Sequence, residues 1–503
     1  LNIKAAVLTS IILLFLILTL KIDFLSDDAY ISFRYAENFA SGNGIVYNAG
    51  ERVEGYTNFL WVIIMSVFKK FGIDLLTGAR IISLISAVGM ILLTYFISVQ
   101  IFEMFGPVSF LSAYLVAINP GFVLWSFSGM ETLFFSFTVL SGLTCVLLYL
   151  QKGRVLLLYS SSLLFLIASL TRPEGVLFFA GSFLFMLIFN RQNASESFTH
   201  RLKKLALPVV IFMAAYGYYF NWRYGYYGQL LPNTFYAKTG FEDQQLKGFY
   251  YCFKFVRESM AGGFLLIFPI YILKEIFSDV RIRFMFFILG IYIFYIISIG
   301  GDNLLVQRFF VPVISLIFTL VALGSASIVA KLKSGTLLKF IVSIFFIIYP
   351  LTVLLDTRAF PMLGVESTML HYKNMEKAGI WLKENSLPGE TVAVESAGII
   401  PYFSGLKSYD RLGLNDLHIS RSGKYGVGER DKSDEEYIIW TLRPDYLIDA
   451  FPTLSRQSKP DLVSDSLRYN YHSVHIGSGS IEERTGVKES GDLYFNYYMK
   501  TQR

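Results

Sequence analysis

Apolar runs near membrane-spanning length recur along this chain, at 3–20, 80–102, 107–124, 131–150, 155–170, 175–190, 205–220, 262–277, 283–299, 309–330 and 337–356. A hydrocarbon core about 30 Å thick asks for about 20 apolar residues per helix, so the pattern predicts a polytopic α-helical membrane protein with about 11 transmembrane helices. Composition agrees: 54% of the 503 residues are hydrophobic and only 16% are charged, which suits many spans better than one soluble core. The net charge of +6 is mild and no basic stripe interleaves with a soluble fold, so no nucleic-acid partner is expected. Cys145 and Cys252 lie in apolar and aromatic runs without metal-ligand spacing, and a disulfide is not expected. No small-residue cleavage site follows the first run, which therefore reads as a retained anchor.

Short connections rich in Lys and Arg, at 152–154, 191–204, 274–283 and 331–339, fall on the cytoplasmic side by the positive-inside rule. Alternation then places 21–79, 125–130, 171–174, 221–261, 300–308 and everything after 357 outside. The run TNFLWVIIMSVFKKFGI at 57–73 would invert that order if it spanned, so it reads as a helix in the outer interface. Two regions result. Residues 1–356 form the transmembrane region with a long first outer loop, 21–79. Residues 357–503 hold no spanning run and form an extracytoplasmic mixed α/β domain. Its pattern is a helix (HYKNMEKAGIWLKEN), a turn (LPGE), a strand (TVAVES) and later strands in RPDYLIDA and DLYFNYYMK.

The polar oddities gather in the outer segments. SDDAYISFRYAENFA follows the first span, and the like charges of Asp27 and Asp28 repel, which favours either a raised pKa or a bound cation. Such a pair can act as a general base or hold a divalent metal, and SDD can equally cap the helix that follows. Tyr30 and Arg34 lie on that same helix, and EGYTN adds Glu54, Tyr56 and Asn58. SGMET adds Glu131, LTRPEG adds Arg172 and Glu174, LPNTFYAK adds Asn233, Tyr236 and Lys238, and GGDNLLVQRFF adds Asp302, Asn303 and Arg308. Charges at the edge of a polytopic bundle are costly and usually mark pathways or sites. Together they predict an outward-facing polar cavity. Arg172, Lys238 and Arg308 are the candidates for holding an anionic head group, with Arg34 and Arg223 as weaker ones, closer to ordinary interfacial arginines.

The stretches SDDAYISFRYAENFASGNG, VEGYTNFLW, LTRPEG and LPNTFYAK resemble the GT-C glycosyltransferases, most closely the terminal β-(1→2)-arabinofuranosyltransferase type. ESAGIIPYFSGLKSYDRLGLND is similar to the extracytoplasmic domain of those proteins. The resemblance implies inverting transfer of a sugar from a polyprenyl-phosphate donor to an envelope polysaccharide or glycolipid, on the outer face of a bacterial cytoplasmic membrane. It maps the base onto Asp27, with Asp28 next. Richness in Lys, Ile and Phe departs from typical arabinan-building homologues, so the sugar stays open among pentoses and hexoses. A transporter or flippase of a lipid-linked saccharide is the competing reading. It would need charges near the midplane and often repeated halves, whereas these charges cluster at one face and no repeat is evident.

Overall fold

Helix α1 (Ile3–Ile22) is apolar on every side, and its 20 residues reach about 30 Å at about 1.5 Å each. The computed structural model describes residues 3–189, 197–302, 304–331, 362–425, 432–448, 471–476, 481–482 and 495–500. After α1 come α2 (Asp27–Ala40), α3 (Phe59–Lys70), α4 (Leu75–Phe96), α5 (Val108–Ala117), α6 (Pro120–Trp125), α7 (Thr132–Lys152), α8 (Leu156–Thr171) and α9 (Gly175–Phe189). Then follow α10 (Phe198–Tyr227), α11 (Asn233–Lys238), α12 (Gln244–Ser259), α13 (Ile267–Tyr271), α14 (Val280–Ile299) and α15 (Ile314–Lys331). Side-chain caps start several of them where the sequence offers a short acid: Asp74 accepts from the Thr77 N–H before α4, and Asp279 from the Arg281 N–H before α14.

Among the described residues, six helices are long and apolar enough to cross a membrane: Ile3–Ile22, Leu75–Ile101, Thr132–Lys152, Phe198–Tyr227, Val280–Ile299 and Arg308–Lys331. The expected number of about 11 spans is not confirmed by these residues. The runs at 107–124, 155–170, 175–190 and 262–277 form apolar helices of only 10–17 residues. A 16-residue helix such as α8 covers about 24 Å, short of a hydrocarbon core of about 30 Å. The run at 337–356, like Asn303, lies outside the described residues. Segment 57–73 yields the 12-residue α3, about 18 Å long, whose Lys69 pairs with Glu37 of α2.

The C-terminal part holds α16 (Met362–Asn385), α17 (Ile399–Ser404) and α18 (Leu417–Ser422) around a six-stranded sheet. Its strands are β1 (Thr391–Val394), β2 (Lys407–Asp410), β5 (Tyr446–Ile448), β6 (Tyr471–Ile476), β7 (Ile481–Glu482) and β8 (Phe495–Lys500), while β3 (Lys424–Tyr425) and β4 (Lys432–Ser433) form a separate ladder. The order is β2-β1-β5-β8-β6-β7, with β1 parallel to both β2 and β5 and the remaining pairs antiparallel. Side chains alternate across β1 as the two-residue strand period requires. Val392 and Val394 join the main core, while Ala393 faces Ile419, Ile438 and Leu447. The main core is continuous: the buried cluster holding Phe15, Trp61 and Leu140 of the helical bundle also includes Val392, Ile399 and Ile400.

Candidate active site at the outer-loop helix

Ser26 occupies the position before α2 but makes no side-chain cap, so the capping role considered for SDD is not made through that hydroxyl. Asp27 and Asp28 lie in the first turn, where the helix dipole favours negative charge. The Asp27 carboxylate faces the C-terminal part. Its Oδ1 accepts the Ile399 N–H at 2.8 Å and its Oδ2 the Gly398 N–H at 3.1 Å. Gly398 permits that approach, since a Cβ there would stand 2.0 Å from the Asp27 carbonyl oxygen. Burial pushes the Asp27 carboxyl up to about 7; the two amides oppose the shift, and the charges of Asp28 and Asp410 add to it. Asp28, one residue on, is half-buried, and no described residue donates a hydrogen bond to its carboxylate.

Many of the other expected site residues knit the same two parts together. The Arg34 guanidinium donates to the carbonyls of Pro401, Leu406 (2.6 Å) and Tyr47 (2.8 Å), and to Asn48 Oδ1 (3.1 Å). Tyr30 packs its ring against Phe33, Tyr402 and Phe403. Asn233 donates to the carbonyls of Gly413, Leu414 and Asp416 and accepts from the Ser420 hydroxyl at 2.7 Å. The Tyr236 carbonyl takes the Lys432 ammonium at 2.8 Å, and Arg421 lies over its ring. Glu54 receives Arg223 Nε at 2.9 Å on both oxygens, and the Tyr56 and Tyr227 hydroxyls meet at 3.1 Å. Buried charges need such partners, so these side chains are spent on structure. The sequence reading missed Tyr47, whose hydroxyl donates to the Ala397 carbonyl at 2.7 Å, and Asn48, which exchanges two bonds with Ser408. It also missed Asn415, which meets the Tyr35 hydroxyl. Their signal was the polarity of AENFASGNGIVYNAG and RLGLND, which in sequence reads as ordinary loop.

A second set converges at the N-terminus of α7 and the C-termini of α8 and α14. Ser32 of α2 bonds Asn58, and Asn58 Nδ2 donates to Glu131 Oε2 at 2.7 Å. Arg172 Nη1 meets Glu131 Oε1 at 2.6 Å, while its Nη2 and Nε reach Glu174 at 2.9 and 3.3 Å. All three ions are buried and carry a formal charge of −1 together, so Arg172 is bracketed by acids and poorly placed to receive an anion. Arg308 is less committed. Its Nε lies 3.2 Å from Asp302 Oδ2 and its Nη1 3.3 Å from Met130 Sδ, with Trp125 and Phe309 flanking its plane. Burial pushes the Asp302 carboxyl up, while the charges of Arg308, Arg172 and Lys238 pull it down. Lys238 is exposed. The loop before α7 links both sets: Ser26 donates to the Ser128 carbonyl at 3.0 Å, Gly129 lies against Ala29, and Met130 carries Arg308.

Among the described residues no group of three or more His, Cys, Asp or Glu side chains is placed to hold a metal ion. Each oxygen of Asp27 already accepts a backbone amide, which leaves the acid pair few free ligand atoms for the divalent cation that was one alternative for it.

A family model described as a domain of unknown function (DUF8728) matches residues 367–491, which include the loop that meets Asp27. A comparison with curated protein sequences finds no match. Among solved structures, the chain is similar to ArnT from Cupriavidus metallidurans in the apo state. Identity is 14% and the TM-score 0.58, covering 97% of this chain and 98% of that one. The same protein bound to undecaprenyl phosphate matches with a TM-score of 0.57 at 14% identity, over 88% and 92% of the two chains. The archaeal oligosaccharyltransferase AglB from Archaeoglobus fulgidus, in complex with an inhibitory peptide and a dolichol-phosphate, matches with a TM-score of 0.50 at 14% identity, over 98% and 76%. Likeness at this identity speaks to fold, and the fold of this chain is GT-C-like.

Proposed function

We propose that the protein is a membrane glycosyltransferase that moves a sugar from a polyprenyl-phosphate carrier to a glycan hydroxyl, with inversion, at the outer face of a bacterial cytoplasmic membrane. The observation that supports this reading is the loop 126–131, which meets α2 beside the acid pair and carries Met130, the partner of Arg308. A carboxylate there can take the proton of the attacking hydroxyl, and a cation can stabilise the charge gained by the departing lipid phosphate. Phosphate is a good leaving group, so a single base suffices and the paired acids of glycoside hydrolysis are not required. The likeness to a protein crystallised with undecaprenyl phosphate supports a polyprenyl-phosphate ligand. Arabinofuranose is one donor sugar among the pentoses and hexoses to be tried. The test incubates purified protein with a panel of undecaprenyl-phosphate pentoses and hexoses and an envelope glycan acceptor. Release of undecaprenyl phosphate by wild type and not by the Asp27→Asn, Asp28→Asn double variant supports transfer. Labelled lipid that crosses liposome bilayers unconsumed points to a flippase and overturns it.

A further inference from the structure

The two acids of SDD do different work, and we infer that Asp28 is the general base whereas Asp27 is a positioning residue that mounts α2 on the C-terminal part. This rests on the transferase reading and divides its acid pair.

The faces of α2 separate the two side chains. Residues three and four apart share a helix face. Asp27, Tyr30 and Arg34 lie on one, and each engages the C-terminal part: Asp27 through the Gly398 and Ile399 amides, Tyr30 through Tyr402 and Phe403, and Arg34 through the Pro401 and Leu406 carbonyls. That is a docking face. Asp28 and Ser32 lie together on another, and Ser32 leads through Asn58 and Glu131 to Arg172. The face carrying Asp28 is therefore the one shared with Ser32, apart from the docking contacts of Asp27, Tyr30 and Arg34.

Reach gives the same division. A general base needs a free lone pair within about 2.6–3.2 Å of the proton that it removes. Each Asp27 oxygen already accepts a backbone amide, and the Gly398 backbone closes over it with no side chain to swing aside. An acceptor hydroxyl would have to displace that buried backbone to reach the lone pair left on either Asp27 oxygen. Asp28 is half-buried and its oxygens accept nothing from the described residues. In the step that follows, the acceptor oxygen forms a bond to the anomeric carbon as its proton passes to the Asp28 carboxylate. The bond from that carbon to the phosphate oxygen breaks, and its electron pair leaves with the lipid phosphate. The titratable groups facing the pair include Asp410, the last residue of β2, Tyr372 of α16, Tyr30 of α2 and Tyr47.

Full-length protein in detergent tests this with whichever donor of the panel wild type consumes. Asp28→Asn is expected to lower kcat about 10²- to 10⁴-fold and to remove the acidic limb of the pH–rate profile. Asp27→Asn and Gly398→Ala loosen the mount from its two sides. Each is expected to lower kcat about 10- to 100-fold while that limb stays. Hydrogen exchange, read without turnover, should quicken at the Gly398 and Ile399 amides in Asp27→Asn and stay slow in Asp28→Asn. An acidic limb lost in Asp27→Asn but kept in Asp28→Asn overturns the division, as does unchanged protection of both amides in Asp27→Asn. Failure of wild type to consume any donor instead overturns the transferase reading, and the exchange result then judges the mount alone.

Discussion

A carboxylate that gives both oxygens to backbone amides in a buried seam ties protonation to stability. A free aspartate titrates at about 3.9, whereas Asp27 holds its proton up to about 7, so between those values the folded chain binds more protons than the unfolded one. Stability is then greatest below the lower value and falls as pH rises through the upper one. The size is bounded by about 1.4 kcal/mol per pKa unit. The expected outcome is a thermal midpoint that falls from pH 5 to pH 8, with a clearly smaller fall in Asp27→Asn. Scanning fluorimetry of the purified protein checks it. Asp410, which burial pushes up to about 6, faces the same seam and accounts for the fall that remains in the variant.

At the scale of elements, the segments that stood out in the sequence are largely partners of one another. Gly55 of VEGYTN lies so close to the C-terminal part that a Cβ there would come 1.9 Å from Asn415 Oδ1 and 2.9 Å from the Leu414 carbonyl. Gly55→Ala is expected to cost about 1–3 kcal/mol through overpacking and a displaced Asn415, seen as a lower thermal midpoint. Polar placement at the outer ends of apolar runs was legible, because a charge beside a span is costly wherever the chain later leads it. Partnership was not. Nothing in LPNTFYAK marks Asn233 as a clamp on residues about 180 positions downstream, and its four bonds run to the loop at Gly413–Asp416 and to Ser420 of α18, whose positions only tertiary folding sets. Strands β1, β2 and β5 were recognisable as short apolar runs or parts of a loop, but their parallel pairing has no local sequence signature. The runs that read as spans at α5, α8 and α9 form helices of 10, 16 and 15 residues, since apolar composition says little about where a helix stops.

Across the whole molecule, ions are sorted by what surrounds them. The Glu131–Arg172–Glu174 set is closed and buried; Arg308 is as buried but meets a single carboxylate, that of Asp302, at 3.2 Å. Arg308→Ala is expected to weaken binding of undecaprenyl phosphate at least tenfold and, by stranding one acid, Asp302, to lower the thermal midpoint less than Arg172→Ala does. Arg172→Ala, by stranding two buried acids, is expected to destabilise the fold by about 3–5 kcal/mol. Thermal shift with and without the lipid separates the two outcomes.

The amides that seat Asp27 come from residues 371 and 372 positions later in the chain. A ribosome adding about 5–20 residues per second needs tens of seconds to pass from one to the other. Through that interval α2 carries its acid pair without its mount, as do Arg34 and Asn233 without theirs. Completion of the polypeptide thus acts as a timer on the site, which assembles only after the bundle beneath it has been made.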